Sequence, residues 1–372
     1  MRACSQAVPF ALSLLLVSAL PSPARATWPY SPFVNLRVCG AAGSQMNPAI
    51  VSDGAGGAIV TWEDYRGVSQ DIYAQHVLAT GAADPAWPAD GRALCTATNT
   101  QSSPKIVSDG AGGAIVTWED YRSGTNNDIY AQHVLASGAA DPAWPADGRA
   151  LCTAASSQAS PTIVSDGAGG AIVTWHDYRS GTSWDIYAQH VLASGATDPA
   201  WPADGRALCT ATDTQFFPMI ASDGAGGAIV TWYDYRNGNA DIYAQRVLAS
   251  GAVDPAWPAD GRALCTAANT QQVPTIVEDG SGGAIVTWYD YRSGTNNDIY
   301  AQHVLASGAT DPAWPANGRA LCTAANTQQV PTIVEDGSGG AIVTWYDYRS
   351  GTNNDIYAQH VLASGATDPA WP

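Results

Sequence analysis

The sequence predicts an all-β fold, a six-bladed β-propeller of four-stranded antiparallel blades, and three observations carry that prediction. The motif WxDYR recurs at Trp62, Trp118, Trp175, Trp232, Trp288 and Trp345, at spacings of 56, 57, 57, 56 and 57 residues. A fixed period of this size marks a repeat architecture. Each unit then divides into four short β-rich runs parted by Gly, Asp, Asn and Pro clusters, the pattern of successive strands. Finally, the central runs are apolar on both alternating sets, as with Ala171, Val173 and Trp175 on one side and Ile172 on the other. A sheet of that kind must be covered on both faces, and sheets packed radially achieve this. A linear β-solenoid would need much shorter turns.

The third unit illustrates the elements in order. Strand a is TIVSD (162–166), and the GAGG that follows tolerates the positive φ of a tight hairpin. Strand b is AIVTWHD (171–177), ended by the polar turn RSGTSW. Strand c is DIYAQHVLA (185–193), a longer loop SGATDPAWPADG follows, and strand d is RALCTA (206–211). Pro and Gly interrupt every window long enough for a helix. The last two units are identical over 51 residues, 265–315 against 322–372, a sign of recent duplication.

Strands a, b and c occur six times, whereas strand d follows strand c only five times. The segment RVCGAA, Arg37 to Ala42, aligns with ALCTAA and is expected to pair with strand c of the last unit, closing the ring. A closed ring removes an edge strand that would otherwise invite association. The alternative is that the six units belong to a longer array. Ahead of them, Arg2, the apolar run from Val8 to Leu20 and the small-x-small site Ala24-Arg25-Ala26 read as a signal peptide cleaved near Ala26. The organisation expected is therefore a signal peptide (1–26), a lead-in (27–34) and the propeller (35–372), in a secreted or periplasmic protein. The apolar run is shorter than the roughly 20 residues of a span, so membrane insertion is not expected.

The chain carries a net charge of −17 with 16 Lys and Arg residues, of which Lys105 is the one lysine. Phosphate binding depends on Lys and Arg neutralisation, so nucleic acid is not an expected partner. No cofactor is expected, and the protein is expected to be a monomer.

The stretch DGAGGAIVTWEDYRSGTNNDIYAQHVLASG (109–138) resembles the WD40-like repeat of TolB-type propellers, in which Asp-Gly opens a hairpin, an apolar-aromatic strand runs to an Asp-Arg-Gly turn, and Asp-Ile-Tyr starts the next strand. The match covers about 30 residues of each unit. Three departures stand out: no Pro precedes the Asp-Gly, a Tyr intervenes in DYR, and TDPAWPADG lengthens the unit. The resemblance implies six blades and a protein-binding role, and it carries no active site.

Residues repeated in every unit are expected to be structural. Cys39, Cys95, Cys152, Cys209, Cys265 and Cys322 share one slot of strand d, too far apart on different blades for a disulfide, which needs Cα atoms within about 7 Å. His76, His133, His190, His303 and His360 share another slot, filled by Arg246 in the fourth unit, so they are not a metal set. The arginines of DYR are expected to pair with their aspartates and fix the b–c turn. The Asp-box of sialidases does not fit SDGAGGAIVTW, and Asp-x-Asp-x-Asp-Gly calcium loops are absent from the sequence.

Catalysis needs unlike groups at one place, so residues that differ between units are the informative ones. They collect on the face of the d–a loops and b–c turns: Glu63, Glu119, His176, Tyr233, Tyr289 and Tyr346 at the end of strand b, and Lys105, Phe216, Phe217 and Met219 around the start of strand a. No catalytic or metal residue is assigned. The preferred expectation is a non-catalytic binding or scaffolding module for a protein, peptide or glycan, with Phe216, Phe217 and the tyrosines as anchors. The alternatives are an enzyme acting on extracellular polysaccharide through His176 and Glu119, and a passive structural array.

Overall fold

The computed structural model describes residues 35–371; the expected signal peptide, cleavage site and lead-in lie outside them. The described residues form six antiparallel sheets, five of four strands in the order a-b-c-d and a sixth of three. In the first sheet the strands are Gln45–Ser52, Ala58–Asp64, Asp71–Val77 and Arg92–Cys95; in the sixth they are Gln328–Glu335, Ala341–Asp347 and Asp355–Val361. Strand a is longer than expected from the sequence. It begins at the Gln ahead of Pro, as in Gln158–Ser165, and continues across a bulge at the Pro. Proline has no N–H for the ladder, so pairing slips there and then resumes.

The a–b hairpin shows why Asp-Gly recurs. Asp109 Oδ1 accepts the N–H groups of Ala111 (2.7 Å) and Gly113 (2.9 Å). A Cβ on Gly113 would stand 2.5 Å from Val134 O, so the residue must be glycine. The other oxygen, Oδ2, lies 2.9 Å from His133 Nε2, while His133 Nδ1 lies 2.8 Å from Asp141. Each repeated histidine thus clamps the a–b hairpin to the c–d loop between two aspartates. Arg246 does the same with Asp223 (2.8 Å) and Asp254 (3.5 Å), so the slot takes a side chain that can bridge two aspartates.

At the b–c turn the expected Asp–Arg pair is present. Asp120 accepts from Arg122 Nη2 (2.6 Å) and Nε (2.8 Å) and from Trp118 Nε1 (2.8 Å), and the guanidinium lies 3.8 Å over the Tyr130 ring. The same guanidinium reaches Cys95 Sγ (3.3 Å) and Asp147 O (2.7 Å), tying the outer strand of the first sheet and a loop to the second. Burial pushes the Cys95 and Cys152 thiols up to about 12, so they are structural groups and not nucleophiles.

Successive sheets stack face to face, most closely at their a strands, which fan out from an inner wall like propeller blades. Five apolar clusters fill the five junctions. Between the second and third sheets, Ile115, Ile129, Trp144 and Leu151 meet Ala171, Val173 and Trp175. Both faces of an inner sheet are used, as the double apolar pattern requires.

The expected ring closure is not met among the described residues. Residues 37–42 form no strand on the sixth sheet, whose c strand has no d partner. They are held instead on the first sheet, where Arg66 Nη2 contacts Cys39 Sγ (3.4 Å) and Gly40 N–H donates to Asp90 Oδ1 (2.7 Å). Those contacts repeat the ones Cys95 and Thr96 make with the second sheet.

Candidate functional site

The inner wall is made by the a strands, and each carries the same distortion. The residue before Pro takes a positive φ: Asn47 (51°), Ser103 (58°), Ser160 (53°), Phe217 (50°), Val273 (51°) and Val330 (53°). For a β-branched valine this is a strained conformation. The distortion turns the N–H of that residue toward the preceding sheet.

There it meets the variable residue at the end of strand b. Glu63 Oε1 accepts from Ser103 N (2.7 Å) and its Oε2 from Asn47 Nδ2 (2.9 Å). Glu119 Oε1 accepts from Ser160 N (2.8 Å) and its Oε2 from Asn127 Nδ2 (3.1 Å). His176 Nδ1 accepts from Phe217 N at 3.4 Å. Three of the residues singled out from the sequence therefore do equivalent work at successive junctions. The first two junctions are linked electrostatically, because Ser103 donates its N–H to Glu63 and the charge of Glu63 acts on Glu119. Burial pushes the Glu119 carboxyl above its ordinary value, the charge of Glu63 adds to that, and the Ser160 N–H opposes it.

His176 is a different case. Burial lowers it to about 4, so at neutral pH its ring is uncharged, with Nδ1 as the acceptor. Its ring is enclosed edge-on by Trp184 (4.6 Å between centroids), Phe216 (5.5 Å) and Phe217 (5.7 Å). His176 and Glu119 thus occupy the same slot at adjacent junctions, the histidine uncharged and the carboxyl raised by burial and by the charge of Glu63.

Two hollows open on the inner wall. One of about 360 Å³ lies among Asn47, Pro48, Ala49, Ser103, Pro104 and Lys105. The other, about 230 Å³, includes Ser103, Lys105, Ser160, Thr162, Phe217 and Met219. Ser103 and Lys105 belong to both, so the hollows form one groove crossing the first four a strands. A wider recess of about 770 Å³ lies between the b–c turn and the d–a loop of the first two sheets, where Asp71 is the titratable group. Burial raises Asp71 to about 6, and Asp128 and Asp185 are raised to the same value, so this is a property of the repeat and not of one site.

The aromatic residues gather only in part. Phe216, Phe217 and Tyr233 pack with His176, joined by Trp184 and Tyr235. Tyr289 donates to Gln272 Oε1 (3.1 Å), and Gln272 in turn reaches Tyr235 (2.9 Å). Tyr346 stands apart on the sixth sheet, 45% exposed. Sequence reasoning missed Ser103 and Trp184 as site residues. Both occupy positions that differ between units, which was the available signal.

No family model matches the chain, and no curated protein matches it. Among solved structures, the α-L-arabinanase of Penicillium chrysogenum, complexed with arabinobiose, is similar at 12% identity over 87% of this chain and 94% of that one, with a TM-score of 0.48. The α-L-arabinofuranosidase of Fusarium graminearum with arabinobiose is similar at 11% identity over 86% and 93%, with a TM-score of 0.46. The endo-arabinanase of Bacillus licheniformis is similar at 12% identity over 73% and 98%, with a TM-score of 0.35. The likeness concerns the propeller fold and not the TolB type in particular. The expectation of a non-catalytic binding or scaffolding module is corrected: these three structures are named as arabinanases and an arabinofuranosidase, which is nearer the alternative.

Proposed function

We propose that the protein is an exported glycan hydrolase whose six sheets are propeller-type blades and whose substrate lies in the groove along the inner wall. The observation that carries this conclusion is the pair of carboxyl groups on adjacent sheets beside the groove, Glu63 held by the Ser103 N–H and Glu119 by the Ser160 N–H. Glycoside hydrolysis needs two carboxyl groups in unlike states, one keeping its proton for the leaving oxygen and one ionised. Glu119, raised by burial and by its neighbour, is suited to protonate the glycosidic oxygen, and Glu63 is its partner carboxylate. Ser103, Ser160 and Thr162 supply hydroxyl partners along the groove, and Phe217, 50% exposed, supplies an apolar face for a sugar ring. The strongly acidic chain favours a neutral polysaccharide.

The test is release of reducing ends from neutral polysaccharides, arabinan among them. The variant Glu119→Gln keeps an oxygen to accept the Ser160 N–H, so the junction should survive while turnover falls by about 10²- to 10⁴-fold. Absence of turnover on every substrate, or an unimpaired Glu119→Gln, would overturn the assignment.

A further inference from the structure

The five junctions between sheets are built from the same two faces, so they describe what the uncovered faces at either end of the stack accept. One sheet contributes the Ile that opens strand c, with the Leu and Cys of strand d; the next contributes the Ala, Val and Trp of strand b. Ile72, Ile129, Ile186, Ile242 and Ile299 are all fully buried in this way, whereas Ile356 on the sixth sheet is 67% exposed. At the other end, Ile50 is 68% exposed, although its counterparts Ile106 and Ile163 pack into junctions. Beside Ile50, the receiving face of the first sheet has an open groove of about 290 Å³ lined by Val38, Cys39, Met46, Pro48, Val60 and Trp62. Val60 and Trp62 are the counterparts of Val116 and Trp118, which cover Ile72.

The missing strand is also in place on the receiving side. Cys39 and Gly40 already make the contacts that a d strand makes with the sheet after it, through Arg66 (3.4 Å) and Asp90 (2.7 Å). Nothing among the described strands pairs with their other side or with the outer edge of strand c of the sixth sheet.

We propose that the sixth sheet of one chain docks on the first sheet of a second copy, with Ile356 entering the Val60–Trp62 groove and residues 36–39 of that second copy completing the sixth sheet as its d strand. The fifth sheet supplies the register. There Ile299 faces Cys322, Tyr300 faces Ala320 and Ala301 faces Arg319. By the same offsets Ile356 faces Cys39, Tyr357 faces Arg37 and Ala358 faces Leu36 of the other copy. The contact is head to tail, so each docked chain still offers one donor face and one receiving face. It is favoured twice over, by burial of apolar surface and by pairing of an open strand edge.

Sedimentation velocity of the full chain across a wide concentration range tests this. Self-association is expected, and Ile356→Asp should weaken it by about 10-fold or more, the effect of withholding one buried aliphatic side chain. Val68→Asp, on a more fully exposed residue of the first b–c turn, should leave it unchanged. A second experiment separates the possible occupants. In a Cys4→Ser background, Ile356→Cys is oxidised and run on a denaturing gel without reductant, with Cys39→Ser as control. A disulfide between two chains that needs Cys39 supports the proposal. A Cys39-dependent bridge within one chain would mean that the ring closes on itself, and a chain that remains a single species at all concentrations would mean that the faces do not mate; either result overturns it.

Discussion

The repeated isoleucine at the start of strand c lets burial be varied with chemistry and local strand structure held constant. Ile186 is fully buried at the junction of the third and fourth sheets, whereas Ile356, in the equivalent slot, is 67% exposed. Replacing Ile186 by Ala removes three buried carbons at about 0.8 kcal/mol each. The cavity left behind adds to this, for a total of about 2 to 4 kcal/mol. At Ile356 only about a third of the side chain is withdrawn from water, so the same arithmetic gives about 1 kcal/mol or less. Urea unfolding followed by tryptophan fluorescence, at a concentration low enough to keep single chains, measures both. The expected result is a clearly lower midpoint for Ile186→Ala and a nearly unchanged one for Ile356→Ala, with similar slopes. Equal losses would refute the reasoning, because they would mean that the sixth sheet is covered as the others are.

Arg246→Gln should destabilise the protein by about 2 kcal/mol or more, since it leaves the buried Asp223 without its cation, whereas Arg246→His should restore the clamp found in the other units; thermal unfolding distinguishes the two. The clamp also predicts a dependence on pH. Asp336 and Asp368 raise His360 above its ordinary value, so the stability it contributes is fully present below about pH 6.5 and is lost as pH rises through the raised folded value. Unfolding midpoints between mildly acidic and alkaline pH should show that decline, and His360→Gln should flatten it. Asp141 and Asp336 are lowered despite their burial, by bonds that include those to the histidines; their contribution is present above about pH 4 and is lost as pH falls through their folded values. Cys95 and Cys152, raised to about 12 by burial, should resist a thiol reagent in the native protein and react once it is unfolded.

Much of the architecture was legible because the repeat states it six times. Trp, Asp and Arg of WxDYR, the Asp-Gly hairpin and the double apolar pattern each impose a local geometry, and those geometries agree. The roles of the repeated His, Arg and Cys residues were readable for the same reason, since a group copied into every unit must satisfy the unit. The site was legible only as a set of variable positions. That Glu63 and Glu119 are each held by a backbone N–H of the next sheet depends on a bulge that aims that N–H across a junction, and nothing in the spacing of the residues announces it. The enclosure that makes His176 a neutral acceptor likewise comes from three rings on two sheets.

The sequence by itself determined the strands, their turns and the pairs of faces that fit one another, because hydrophobic period, glycine conformation and charge pairing act over a few residues. Only the tertiary structure decided which carboxyl is raised by its surroundings and where the Cys39 segment lies. Those depend on burial and on distances between sheets, which no single repeat contains.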